Sequence, residues 1–167
     1  MHIKIFVVDL AKRQTLFANM YSENDLDLGK KPLQFIKNIT FSHTAWGLDS
    51  PRGFASIDTG NGIETLCFWS EKEKAEQSAI GDWEGYRLTE IEMGELLENW
   101  LVGLGKHHGL ACIDWEKDEN LEIVSPFGII IHLIDFYKSS DYEFDFTMFN
   151  GLEDIEYAVK DILGMDY

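Results

Sequence analysis

Apolar residues recur at helical spacing most clearly between Met93 and Leu104. Met93, Leu96, Leu97, Trp100, Leu101 and Leu104 are separated by 3, 1, 3, 1 and 3 positions, which puts them on one buried stripe of an amphipathic helix. Its start is open, because Thr89-Glu-Ile-Glu92 matches a capping box while "YRLTEI" also has the residue types of a short strand. Gly105 or Gly109 is expected to end it. The closing "GLEDIEYAVKDILGMDY" predicts a second helix, with Leu152, Ile155, Val159, Ile162 and Leu163 apolar. A third is predicted from Pro32, with Leu33, Phe35, Ile36 and Ile39 at helical spacing and the proline at the first helical position.

Elsewhere the period is two. "IKIFVV" (Ile3–Val8) and "QTLFANMY" predict an opening hairpin, followed by an acidic loop from Tyr21 to Pro32. "TAWGLDSPRGFASIDTGNGIETLCFW" predicts an antiparallel meander, with turns at Asp49–Gly53 and Thr59–Gly62. Ser70-Glu-Lys-Glu73 then matches a capping box, and Ala75, Ala79, Ile80 and Trp83 fall on one helical face beyond it. Trp69 and Trp83 are therefore expected to pack inward rather than to build a ligand cage. "LACIDW" predicts a strand, "EKDEN" an acidic turn, and "YEFDFTMF" a strand with Tyr142, Phe144 and Phe146 on one face. "SPFGIIIHLIDFYKSS" points both ways: Ser125-Pro126 is a good helix start, whereas "IIIHLIDFY" has strand-forming residue types. The sum predicts one α+β domain over residues 1–167, a mainly antiparallel sheet with three to five helices packed against it.

Composition narrows the function classes. Over 167 residues, 45% are hydrophobic and 13% aromatic, enough for a substantial core. The net charge of −16 argues against nucleic acid and anionic membranes as partners and favours a basic protein. Cys67 and Cys112, the only cysteines, each lie in an apolar run and read as small core residues. No secretory layout opens the chain, and "FGIIIHLIDFY" is too short to span a bilayer, so a cytoplasmic protein is expected.

Signatures of chemistry fail on inspection. "GLGKHHG" sits at a helix's end, where the dipole has the wrong sign for phosphate, and His107 and His108 read as an exposed helix C-terminus. His43 and His132 stand alone, and His132 is expected to be a hydrogen-bonded core or interface residue. "DWEKDEN" lacks the calcium-loop pattern, and no serine lies in G-x-S-x-G. No catalytic residue, cofactor or metal is assigned.

The stretches "FIKNITFSHTAWGLDSPRGFASI" and "LCFWSEKEKAEQSAIGDWEGYRLTEIEMGELLENWLVGLGKHHGLACIDW" resemble the bacterial family known as domain of unknown function 2750, over about residues 35–124. The resemblance lies in a Trp-Gly-Leu strand, a strand ending in Trp before an alanine-bearing helix, and an Ile-x-x-x-x-Leu-Leu-x-x-Trp-Leu helix. It implies a shared core and no activity, with the N-terminal hairpin and everything past Val124 as additions. Small acidic α+β bacterial proteins of this kind are also similar to immunity proteins, which neutralise a toxin by covering its active site. The expected function is non-enzymatic binding of that type, toward a basic toxin. The alternatives are a housekeeping interaction or regulatory domain, and an enzyme of unrecognised chemistry. The candidate partner contacts are the acidic loops: Glu23, Asp25 and Asp27, and Asp114, Glu116, Asp118 and Glu119. Oligomeric state is left open.

Overall fold

Helix α1 (Lys30–Ser42) starts two residues before the expected proline. Pro32 still lies in the first turn, where a missing N–H costs no intrahelical bond. The computed structural model describes Leu26 and residues 28–165; the expected N-terminal hairpin lies outside them. Phe35, Ile36 and Ile39 form the buried face of α1, and His43 ends it in the left-handed region at φ 57°, its N–H returning to the Ile39 carbonyl.

The meander follows as β1 (Thr44–Ser50), β2 (Gly53–Phe54), β3 (Ser56–Ile57) and β4 (Thr65–Phe68). Gly53, Gly60 and Gly62 take positive φ at its turns, as glycine alone does cheaply. Helix α2 (Lys72–Ser78) leads to a 3-10 turn at Gly81–Trp83 and strand β5 (Arg87–Glu92). Residues 93–106 form α3, helical throughout but with a π segment at Leu96–Leu101. Strands β6 (Leu110–Ile113) and β7 (Ile123–Val124) precede α4 (Pro126–Lys138) and α5 (Leu152–Leu163). The α+β class holds: the described residues form five helices and two mostly antiparallel sheets.

One sheet has the order β2-β1-β5 and the other β3-β4-β6-β7. β1 and β5 pair antiparallel from Thr44↔Glu92 to Asp49↔Arg87. β4 and β6 pair parallel, from Thr65↔Leu110 to Phe68↔Ile113, which a crossover through α2, β5 and α3 makes possible. The sheets are stitched where Trp46 and Trp69 exchange both backbone hydrogen bonds at 2.8 Å.

The stripe on α3 is buried as its spacing requires: Met93, Leu96, Leu97, Leu101 and Leu104 are inside and Trp100 half-buried. Its start is settled in favour of the strand, with Thr89 inside β5 and not at a helix N-terminus. Residues 87–92 are strand, and the last of them, Glu92, caps α3 by accepting from the Gly94 and Glu95 amides. Gly105 serves close packing, whereas Gly109 packs closely and also closes the helix, its N–H returning to the Leu104 carbonyl at 2.8 Å beside His108 in the left-handed region at φ 62°. A Cβ at Gly105 would sit 2.5 Å from the Phe127 ring, and one at Gly109 would sit 2.3 Å from Leu104. α4 is the helix that the sequence left undecided. Ser125 accepts from the Phe127 amide at 3.2 Å, Pro126 takes the first position, and Phe127, Ile129, Ile130, Leu133, Ile134 and Tyr137 are all buried. A helix enclosed on most sides has no polar face to set a period, which is why its sequence could pass for a strand.

Three expectations are corrected. Ser70 caps nothing: Glu71 is the N-cap residue of α2, and the Ser70 hydroxyl is taken up by Asp114. The helix after it stops at Ser78, so Ile80 is 41% exposed and Trp83 lies in the separate 3-10 turn. "YEFDFTMF" is not a strand. Tyr142, Phe144 and Phe146 are half-buried and Glu143 and Asp145 exposed, as the alternation requires, but no neighbouring strand pairs with it.

Candidate protein-binding surface

At the carboxyl ends of the parallel strands β4 and β6 the chain turns outward as Trp69-Ser70 and Asp114-Trp115. In open α/β sheets the ends of parallel strands are a common place for ligands, so this junction is the first candidate. Asp114 is 4% exposed and sits at φ 46°, a region an aspartate tolerates better than most side chains. One carboxylate oxygen accepts the Ser70 amide at 2.7 Å, and the Ser70 hydroxyl donates at 2.8 and 3.0 Å. That hydroxyl also accepts from Asn38 Nδ2 at 3.2 Å, and Asn38 Oδ1 accepts from Gln34 at 2.8 Å. The chain of bonds ties α1 to both strand ends. Both Asp114 oxygens are taken up by Ser70, and the Ser70 hydroxyl is shared between that carboxylate and the Asn38 amide. Structurally, this junction is a tie.

Beside it the tryptophans interlock. Trp69 is fully buried, its indole N–H donating to the Trp115 carbonyl at 2.8 Å, and Trp83 meets Trp69 and Trp115 edge-on at 5.8 and 5.1 Å. Edge-to-face pairs of this kind add about 0.5–1.5 kcal/mol each beyond the area they bury. Cys67 and Cys112 face each other across β4 and β6 in register, both buried. The thiol of Cys67 is pushed up by donating to Cys112 and by burial.

A second cluster gathers around the end of α4. His43 Nδ1 shares a 2.8 Å hydrogen bond with the Tyr137 hydroxyl, and its ring stacks on Tyr142 at 4.1 Å. Tyr142 Oη donates to Glu92 at 3.1 Å. Burial, then the neighbouring Tyr142 and Glu92, push the Tyr137 phenol above its ordinary range. The cluster fastens residues 139–151, which cross the body without regular structure. Their other end is held by Glu98, only 4% exposed on the π segment of α3. Its carboxylate accepts from the Thr147 amide at 3.0 and 3.1 Å, the Thr147 hydroxyl at 3.0 Å and the Met148 amide at 2.9 Å. Burial works against the charged form of Glu98, but these backbone N–H groups, with that of Phe149, outweigh it and hold the carboxyl below its usual range.

The exterior is where charge collects. Of the expected contacts, Asp118 and Glu119 stand exposed at the tip between β6 and β7, and Glu119 pairs with Lys31 at 3.4 Å. Glu116 is half-buried. Asp114 is not a surface residue at all, because the tie to Ser70 holds it inside. Glu23, Asp25 and Asp27 lie outside the described residues. The sequence reading missed a richer acidic surface, Asp135, Asp141, Glu143, Asp145, Glu153 and Asp154, all exposed. Lys138, which feels Asp135 and Glu153, and Lys160 are both paired with Glu156, which is held below its usual range first by Lys138 and then by Lys160. The alternation of "DYEFDF" carried that signal. It was read for its buried face and not for the one it leaves outside.

Between α1 and α4 a shallow cavity of about 580 Å³ runs past Lys37, Asn38, Ser70 and Glu71, with Phe41, 91% exposed, and Phe136, 46% exposed, at its rim. His132 donates to the Gly128 carbonyl at 2.9 Å within α4, and His107 and His108 are exposed just past the end of α3, as expected. No group of three or more His, Cys, Asp or Glu side chains fit to hold a metal ion occurs among the described residues. Among them, too, no helix is long and apolar enough to cross a membrane.

A family model described as "Protein of unknown function (DUF2750)" matches residues 33–133. The chain belongs to this family. The match reaches further than the resemblance in the sequence: it takes in most of α1 and runs into α4 as far as Leu133, so the start of α4 is family core rather than an addition. The DUF2750 segment thus contains both sheets, the Ser70–Asp114 tie, the tryptophan cluster, His43 and Glu98. Tyr137, Tyr142, Thr147 and α5 lie beyond it, so the hydrogen bonds from His43, Glu92 and Glu98 each join a family residue to one outside the match. No curated protein matches the chain.

Proposed function

We propose that this DUF2750 protein is a non-enzymatic binding protein of the immunity type, which neutralises a basic toxin by direct contact in the bacterial cytoplasm. The observation that carries the reading is the net charge of −16 of the chain, together with the exposed acids Asp135, Asp141, Glu143, Asp145, Glu153 and Asp154 among the described residues and the pairing of Lys138 and Lys160 with Glu156. Such a field raises the encounter rate with a cationic partner and disfavours anionic ones. Most of the described large aromatic and aliphatic side chains belong to the two core clusters, which leaves the charged exterior for recognition.

The reading is tested in the source bacterium. An immunity gene lies directly beside its toxin, so the products of the two flanking genes are expressed alone and together with this protein. Growth arrest by one of them, relieved by co-expression, is the expected result. Flanking products that leave growth unaffected would remove the toxin from the account. A second reading, an interaction domain with no toxin, is favoured by the cavity between Phe41 and Phe136, whose rim is apolar rather than acidic.

A further inference from the structure

Residues 141–146 alternate in burial as a strand does, yet belong to neither sheet. Their burial alternates with period two: Tyr142, Phe144 and Phe146 rest on the core, and Asp141, Glu143 and Asp145 face solvent. Phe144 lies against Tyr137 at 4.9 Å and stacks on Phe146 at 4.8 Å, so the inner face is fixed. Both ends are fixed as well. Tyr142 is held by Glu92 and His43, and the Thr147 and Met148 amides are held by the buried Glu98 carboxylate. Between these anchors the backbone N–H and C=O groups of residues 143–146 make no hydrogen bond to any other described residue. A segment already extended and anchored has lost most of the entropy that strand formation costs. Its open edge is a template for another strand.

The outward row selects the occupant. In a pair of strands, side chains opposite one another sit about 4.5–5.5 Å apart, and like charges there are unfavourable. A second copy of this chain, strap against strap, would oppose acid with acid. We propose that residues 141–146 are the docking edge for an extended segment of a protein partner that carries Lys or Arg at alternate positions, added by backbone pairing with its basic side chains opposite Asp141, Glu143 and Asp145. This inference rests on the reading of a basic partner and names the surface that receives it.

The probe is an acetylated, amidated ten-residue peptide alternating Lys and Thr, titrated at low salt into the isotope-labelled full chain, with amide exchange read residue by residue. Neighbouring residues of a strand direct their N–H groups to opposite edges. Pairing on one edge therefore slows exchange at 143 and 145 or at 144 and 146, tenfold or more at saturation, and leaves the other pair unchanged. Of two peptides N-methylated on alternate residues in opposite phase, one should bind and the other should not. The exposed double variant Glu143→Gln/Asp145→Asn should weaken binding about three- to tenfold with the fold intact. Four results overturn the proposal: no binding by the unmodified peptide, shifts confined to the β6–β7 tip or to the Phe41–Phe136 cavity, equal binding by both methylated peptides, or concentration-dependent protection without peptide, which would make a second copy the occupant. The proposed function fails by a different result, the absence of a toxic flanking product, so the two can fall separately.

Discussion

Replacing Glu98 by glutamine keeps the shape of the side chain and removes its charge at the one place where a buried carboxylate stands in for a strand partner. In the wild type it accepts from two amides and a hydroxyl at 2.9 to 3.1 Å. Hydrogen bonds to a charged group contribute about 1.5–3 kcal/mol each, and bonds that share one acceptor do not add in full. Glutamine retains one acceptor oxygen and turns an NH2 group toward N–H donors. The expected loss is about 2–4 kcal/mol. In urea, with a slope of about 1–3 kcal/mol per molar, that loss moves the unfolding midpoint down by about 1–2 M. The pH dependence supplies the control. The folded carboxyl is held below its usual range, so its stabilisation is fully present above the unfolded pKa of about 4.3 and is lost as pH falls through the lower folded value. The gap between wild type and Glu98→Gln should therefore be widest near neutrality and narrow as the pH is taken below about 4. A gap under about 1 kcal/mol at pH 7, or one that acid leaves unchanged, refutes the clamp.

Three further outcomes follow from the packing. Asp114→Asn keeps a side chain suited to φ 46° but replaces the acceptor pair that holds Ser70, and should cost about 1–3 kcal/mol in chemical denaturation; no cost would mean the tie is idle. Gly105→Ala places a methyl 2.5 Å from the Phe127 ring and should cost about 1–3 kcal/mol, with Phe127→Leu recovering part of it in a double-mutant cycle. Tyr137→Phe removes the hydroxyl bonded to His43 and should cost about 0.5–1.5 kcal/mol, with faster amide exchange at residues 142–146 than elsewhere; uniform acceleration would contradict a local latch.

What the sequence disclosed was what depends on local period. The stripe of α3, the meander with its glycine turns and the apolar face of α5 were legible because each has a polar side to mark the repeat. α4 was ambiguous because it is buried nearly all round, and residues 142–149 passed for a strand because their alternation is real and only the pairing is missing. Ser70 and Glu73 fit a capping box, but Asp114, distant in sequence, competes for the serine and wins through two oxygens and burial. The same tertiary contact removed Asp114 from the surface where charge density had placed it. Glu98 gave no local signal, because its partners at 147 and 148 come from a segment that folds over it. The α+β class survived these errors, since helix and strand content depend on period more than on partner choice.

The account stands on a division of labour: apolar side chains inside, and an acidic exterior that draws in a basic protein. Its most direct test is the association rate of this protein with the flanking-gene product whose toxicity it relieves, measured by stopped flow from about 20 to 300 mM salt, a range over which the screening length falls severalfold. A rate that drops steeply with salt while dissociation changes little is the predicted result. A rate indifferent to salt would contradict electrostatic capture by the acidic surface.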